Sequence, residues 1–185
     1  MRRSLLIGIA QAFVLGAAVA GAAFAVSRNG FDTADLSDAK WREVAWPFPL
    51  DQWGRGSAFR CGAPVCGAEV TLLLRAKAGF CNCTAGIRDD DELDRISDAE
   101  LFGSDLVPKA EGQIVRAGGL VGRGRHFSDA TTTRGIFATA FHANCDAIVA
   151  TAIVSGDALA VAQRAVMEFL DRRVVLRAAL MSPGR

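Results

Sequence analysis

Polar and apolar residues alternate most cleanly over residues 69–77. Val70, Leu72, Leu74 and Ala76 share one side, while Glu69, Thr71, Arg75 and Lys77 share the other. A period of two marks a β-strand with one buried face, so the charged side is expected to meet solvent. A second alternation opens after Gly135, placing Ile136, Ala138, Ala140 and His142 opposite Phe137, Thr139 and Phe141. Ala143-Asn144-Cys145-Asp146 supplies a turn and residues 147–154 return as an apolar run, which together predict a β-hairpin. Ile114-Val115 and Leu120-Val121, set among glycines, predict one or two short strands joined by tight turns. Residues 41–46 predict a short first strand that Pro47 and Pro49 end, and the glycines of residues 51–56 predict a loop.

The period changes to that of a helix near the C-terminus. Leu159, Ala162, Val166, Phe169 and Leu170 recur at helical spacing, with Asp157 as the predicted N-cap. Residues 174–180 either prolong this helix or form a last strand. A short helix is predicted over residues 89–96, whose acids suit the positive end of the helix dipole. Ser97 and Glu100 have the spacing of a capping box for another turn. Strands followed by a C-terminal helix define the α+β class: an antiparallel sheet with that helix packed on one face.

Upstream of these elements lies an apolar stretch of another kind. Arg2 and Arg3 precede 22 residues, 5–26, in which Gln11 is the one strongly polar side chain, and Ala23-Phe24-Ala25 offers a cleavage site. The run is long for a signal peptide and long enough to span a bilayer, so residues 1–25 are expected to be a signal peptide or a membrane anchor. The organisation that follows is 1–25 leader, 26–40 polar linker and 41–181 single α+β domain. Export is expected on either reading, to the periplasm or the extracellular space. The domain is then soluble after cleavage near Ala25 or anchored by the N-terminal helix, and membrane contact is confined to residues 4–26.

Composition narrows the partners. With 51% apolar residues, the chain can bury a core. The 21 basic and 20 acidic residues nearly cancel, and no basic block follows Arg3, so a nucleic-acid surface is not expected. Lysines occur only at positions 40, 77 and 109. Trp41, Trp46 and Trp53 crowd into a short stretch of a chain without tyrosine and are expected to plug the core.

Candidate chemistry rests on the thiols Cys61, Cys66, Cys81, Cys83 and Cys145. In an exported chain these are disulfide candidates, although about fifteen two-bridge pairings exist. Cys61 and Cys66 bracket a Gly-Ala-Pro-Val turn that brings them into bridging range. A Cys81–Cys83 bridge would close a small strained ring, which favours Cys145 as the partner of one of them. The alternative is a metal site: Cys81-X-Cys83 presents two soft thiolates suited to Cu(I), with His142 and Cys145 as further ligands. A thiol–disulfide oxidoreductase is the third reading, and it lacks the CXXC helix terminus.

Other constellations point to structure. Asp89, Asp90, Asp91, Glu92 and Asp94 do not follow the EF-hand pattern, and helix capping with i,i+4 pairs to Arg88 and Arg95 accounts for them. His126, among Arg123, Arg125 and Ser128, is expected on the surface. No G-x-S-x-G elbow accompanies either histidine, and Cys145 beside His142 and Asp146 is a nucleophile by proximity alone. The expectation is an exported, disulfide-bearing module that binds or assists an unknown protein or small ligand. No catalytic or cofactor-binding residue is assigned.

Overall fold

The computed structural model describes residues 40–79, 86–156 and 158–181. The leader, most of the linker, Cys81, Cys83, Asp157 and the last four residues lie outside them. Eight strands form one antiparallel sheet: β1 Arg42–Val44, β2 Ser57–Cys61, β3 Val70–Lys77, β4 Leu106–Pro108, β5 Gln113–Ala117, β6 Leu120–Asp129, β7 Arg134–Ala143 and β8 Asp146–Ser155. Their order is β1-β2-β3-β8-β7-β6-β4, and β5 also pairs with β6. Helices α1 Ala63–Cys66, α2 Asp90–Ile96, α3 Leu159–Leu170 and α4 Arg173–Met181, with a 3-10 turn over Ala99–Phe102, complete the α+β architecture.

Side-chain alternation sorts the core into two faces. Leu72, Leu74, Phe137, Phe141, Ala150 and Ala152 point to the side where α3 and α4 pack. Their stripes contribute Val166, Phe169, Leu170, Val175 and Leu176. Phe169 is the centre of this layer, stacked against Trp41 at 5.0 Å and edge-on to Phe59 at 4.9 Å. The opposite face carries Ala140, Ala147 and Val149 under Leu93 and Ile96 of α2, then Ile136, Ala138 and Phe127 under Ala99.

The predicted hairpin forms as β7 and β8, with Ala143 opposite Asp146. Asn144 in its turn adopts φ 59°, a left-handed conformation that asparagine tolerates. Gly118 and Gly119, at φ 56° and 84°, make the tight turn between β5 and β6.

Several expectations are corrected. β2 follows the 51–56 loop and was not legible as a strand. Residues 173–181 form a separate helix, broken from α3 at Asp171, and not an extension or a strand. Ala158 occupies the N-cap of α3, with no side-chain cap. Ser97 does not cap the next turn in a box with Glu100; its hydroxyl accepts from Ala99 N at 3.4 Å. Most consequential, the charged side of β3 is not solvated: Arg75 and Lys77 are buried.

Truncating Phe169 empties the space between Trp41 and Phe59. Phe169→Ala is expected to cost about 3–5 kcal/mol, measured by urea denaturation followed through tryptophan fluorescence. A loss below about 1 kcal/mol would show that the α3 layer is not the core described.

Candidate functional site

Two cations two residues apart on β3 must point the same way, because a strand alternates its side chains. Arg75 and Lys77 therefore emerge together on the α2 face, where neither can stay charged without a partner. Asp98, just before the 3-10 turn, answers both. Its carboxylate accepts from Arg75 Nε at 2.8 Å and from Arg75 Nη2, and it stands 3.0 Å from Lys77 Nζ. All three side chains are at most 4% exposed.

The outer side of the guanidinium meets the 45–56 segment, which crosses this face as a strap. Arg75 Nη1 donates to Asp51 Oδ1 at 2.9 Å and to the Gly54 carbonyl at 3.0 Å. Asp51 Oδ1 also accepts the Trp53 N–H at 2.8 Å, and Gly54 N closes the turn onto the Asp51 carbonyl. Trp46 lies over the Arg75 guanidinium at 5.4 Å and Trp53 over the Lys77 ammonium at 5.6 Å, both cation–π contacts. Trp46 settles this low because Gly56 has no side chain. A Cβ there would collide with the Leu74 carbonyl, with Arg75 Cβ at 2.6 Å and with Trp46 Cζ3 at 2.8 Å. Phe48 and Phe102, 5.1 Å apart and edge-on, carry the strap onto the 3-10 turn.

Electrostatics agree with the geometry. Burial works against the charge on Arg75, but the hydrogen bonds and charges of Asp98 and then Asp51 outweigh it and leave its pKa raised. Burial likewise pushes Asp51 upward, yet the Trp53 N–H, Arg75 and Lys77 hold its carboxyl below the usual value. Two cavities flank the strap. One of about 510 Å³ is lined by Trp46, Phe48, Arg55 and Arg75, the other of about 480 Å³ by Leu50, Asp51, Trp53 and Ala76. Both have the size of small-ligand sites.

The acidic cluster at α2 is structural, through the expected helix capping and through pairs to β6 that were not expected. Asp89 caps the helix by accepting from Glu92 N at 2.9 Å, and Glu92 accepts from Arg88 N at 3.0 Å. Asp90 pairs with Arg123, and Asp94 with Arg125 at 2.6 Å, both across to β6. Asp90 also accepts the Gly112 N–H at 2.9 Å, holding the bulge between β4 and β5.

His126 is half-buried beneath α3, not on the surface. Its ring meets Phe137 edge-on at 5.2 Å, and its Nε2 is buried without a hydrogen-bond partner in a cavity that Gln163 also lines. Burial lowers its pKa below 6.5; Gln163 opposes this and Lys109 adds to the depression. His142 helps line a 250 Å³ cavity with Gly86, Ile114 and Val121.

Of the thiols, Cys61 and Cys66 are bridged, with their Cα atoms 6.0 Å apart as the turn between them implies. Cys145 is also disulfide-bonded. Cys81 and Cys83 fall outside the described residues, so the expected set Cys81, Cys83, Cys145 and His142 lies only partly within them. Among the described residues no group of His, Cys, Asp or Glu has the arrangement of a metal site. The charged strap site itself was missed by sequence reasoning. Its signal was two cations on one side of an otherwise apolar strand, in a chain with three nearby tryptophans.

An α+β sheet protein with a desolvated cation pair beneath a tryptophan strap is the class this geometry defines. No protein-family model matches the chain, and no curated protein does. Among solved structures it is similar to LpqN, described as involved in cell envelope biogenesis of Mycobacterium tuberculosis. That likeness has 12% identity and a TM-score of 0.42, covering 72% of this chain and 76% of that one.

Removing Asp98 leaves two buried cations with one partner fewer. Asp98→Asn is expected to cost about 3–5 kcal/mol in chemical denaturation. The Arg75→Met/Lys77→Met/Asp98→Leu triple variant, which removes every member, is expected to lose less. If the triple variant is the less stable of the two, desolvated charge is not what the single substitution exposes. A second expectation concerns His126. Its folded pKa is depressed, so its contribution is present above 6.5 and lost as pH falls from there toward the folded value. Thermal midpoints between about pH 7 and 5 are expected to fall more steeply for the wild type than for His126→Gln. Parallel profiles would exclude His126 as their source.

Proposed function

We propose that this chain is an exported, disulfide-bonded binding or accessory module that acts without catalysis. The observation that carries the reading is the Cys61–Cys66 bridge, between side chains exposed to 0% and 3%. Disulfides persist in oxidising compartments, and one that joins the end of β2 to the buried Cys66 of an otherwise exposed turn supports the fold there. The bonded state of Cys145 adds to this, and the N-terminal pattern of Arg2-Arg3, apolar run and Ala-Phe-Ala supplies a route of export. Binding is favoured over catalysis because Asp98 engages both buried cations of the strap site, and its cavities offer charge and aromatic surface for recognition.

The test is the state of the five thiols in protein recovered from its native compartment. One titratable thiol per chain in denaturant is expected, together with a Cys61–Cys66 linked peptide in a non-reducing digest. Cys61→Ala/Cys66→Ala is expected to lose about 2 kcal/mol, the loop-closure value for so short a ring. Five free thiols on a chain that keeps its leader in the cytosol would overturn the reading.

A further inference from the structure

The strap site carries an asymmetry of charge. Its buried part holds Arg75, Lys77 and Asp98, a net charge of +1 on side chains at most 4% exposed. Among the described residues the remaining ion-pair partner is Asp51, whose side chain is 37% exposed on the strap. Asp98 is fixed within the fold and grips two guanidinium nitrogens. Asp51 reaches the third nitrogen, Nη1, from a surface turn. One anion is permanent and the other is replaceable.

We propose that the position held by Asp51 is an anion subsite, and that the module takes a small carboxylate with an apolar, preferably aromatic, body. The ligand's carboxylate accepts from Arg75 Nη1 in place of Asp51, and its body enters the cavity lined by Trp46 and Phe48. Four observations meet there. Arg75 is pre-oriented by Asp98, so little order is lost when a ligand binds it. Arg75 is a lining residue of the 510 Å³ cavity and Asp51 of the 480 Å³ one, so the ion pair joins residues of both. Arg55 adds a second cation to the larger cavity, against the single acid Glu43. The Nε1 of Trp46, a residue that lines this cavity, is buried without an acceptor. A ligand oxygen that reached it once Asp51 has left would relieve that donor, whose burial alone is unfavourable.

The strap is therefore a competitor for its own site: Asp51 must leave Nη1 before the ligand arrives. This deepens the reading of the chain as a binding module and rests on it. Thiol state is read separately, so failure here leaves the disulfide and export evidence standing, and failure there leaves this binding result intact.

Benzoate is the probe, with acetate and chloride as comparisons at equal ionic strength, followed by tryptophan fluorescence and thermal midpoint. Benzoate is expected to bind Asp51→Ala about tenfold more tightly than the wild type, raising its midpoint, with acetate weaker and chloride without effect. Trp46→Phe is expected to remove most of the fluorescence response. Should Asp51→Ala fold poorly, Asp51→Asn, which keeps the shape and the Trp53 cap, is compared in the same way. Equal benzoate affinity in wild type and variant overturns the proposal, as does a chloride effect matching that of benzoate. Acetate binding as tightly as benzoate overturns the aromatic body.

Discussion

Asp98 holds a guanidinium and an ammonium inside the protein, and the whole second face of the sheet is arranged so that it can. Bringing Arg75 and Lys77 out of water costs several kcal/mol per ion unless charge and hydrogen bonds are returned to them. The carboxylate returns both, but only if the 3-10 turn after it sits directly on β3. That requirement places Ala99 and Phe102 over the sheet and brings α2 down beside them. A polar demand on one strand thereby fixes where the apolar cover lies.

The same strand is fastened at both ends. Where β3 begins, Val70 stands opposite Cys61, whose bridge to Cys66 ties β2 into the turn of α1. Near the other end, Leu74 stands opposite Ser57, and the strap leading into β2 is pinned by Asp51 and the two tryptophans. One fastening is covalent and insensitive to salt or pH. The other is ionic and faces solvent at Asp51. Elsewhere charge is spent on holding elements together: Asp90 and Asp94 bind α2 to β6 and keep the bulge of the outer edge in place.

The sequence made much of this fold legible and little of the site. Strand β3 and the β7–β8 hairpin alternate over long enough runs to declare both their type and their faces. Strand β6 was readable only at its start, because Arg123 and Arg125 among glycines resemble a loop. In the structure those arginines reach α2, while Gly122 and Gly124 leave room on the other face for Phe141 and Phe137, whose rings a Cβ would meet at 2.8 and 3.0 Å. Strand β2 is five residues beside a glycine-rich turn, too short for a period to appear. Alternation also reveals which residues share a side and not whether that side is covered. The cover over Arg75 comes from residues 45–56 and 98–102, which have no periodicity, so its burial depends on contacts 23 and 24 residues away in sequence. The disulfide at residues 61 and 66 was accessible because a turn of four residues sets its own distance.

Why should a surface aspartate complete a buried ion cluster, when a fully interior carboxylate would hold it more firmly? With Asp98 alone, two cations share one anion, and the deficit of charge sits where water cannot relieve it. Some anion must therefore stand at Arg75 Nη1 whenever the face is closed. An interior residue would occupy that position permanently and make the cluster a purely structural pin. Asp51 instead occupies it from a turn whose other ties are a backbone N–H, a carbonyl and two aromatic contacts, each worth about 1 kcal/mol. The energetic requirement is then for an anion and not for Asp51 itself. A fold that demands the charge but supplies it from a surface turn has separated the stability of its core from the identity of the group that neutralises it.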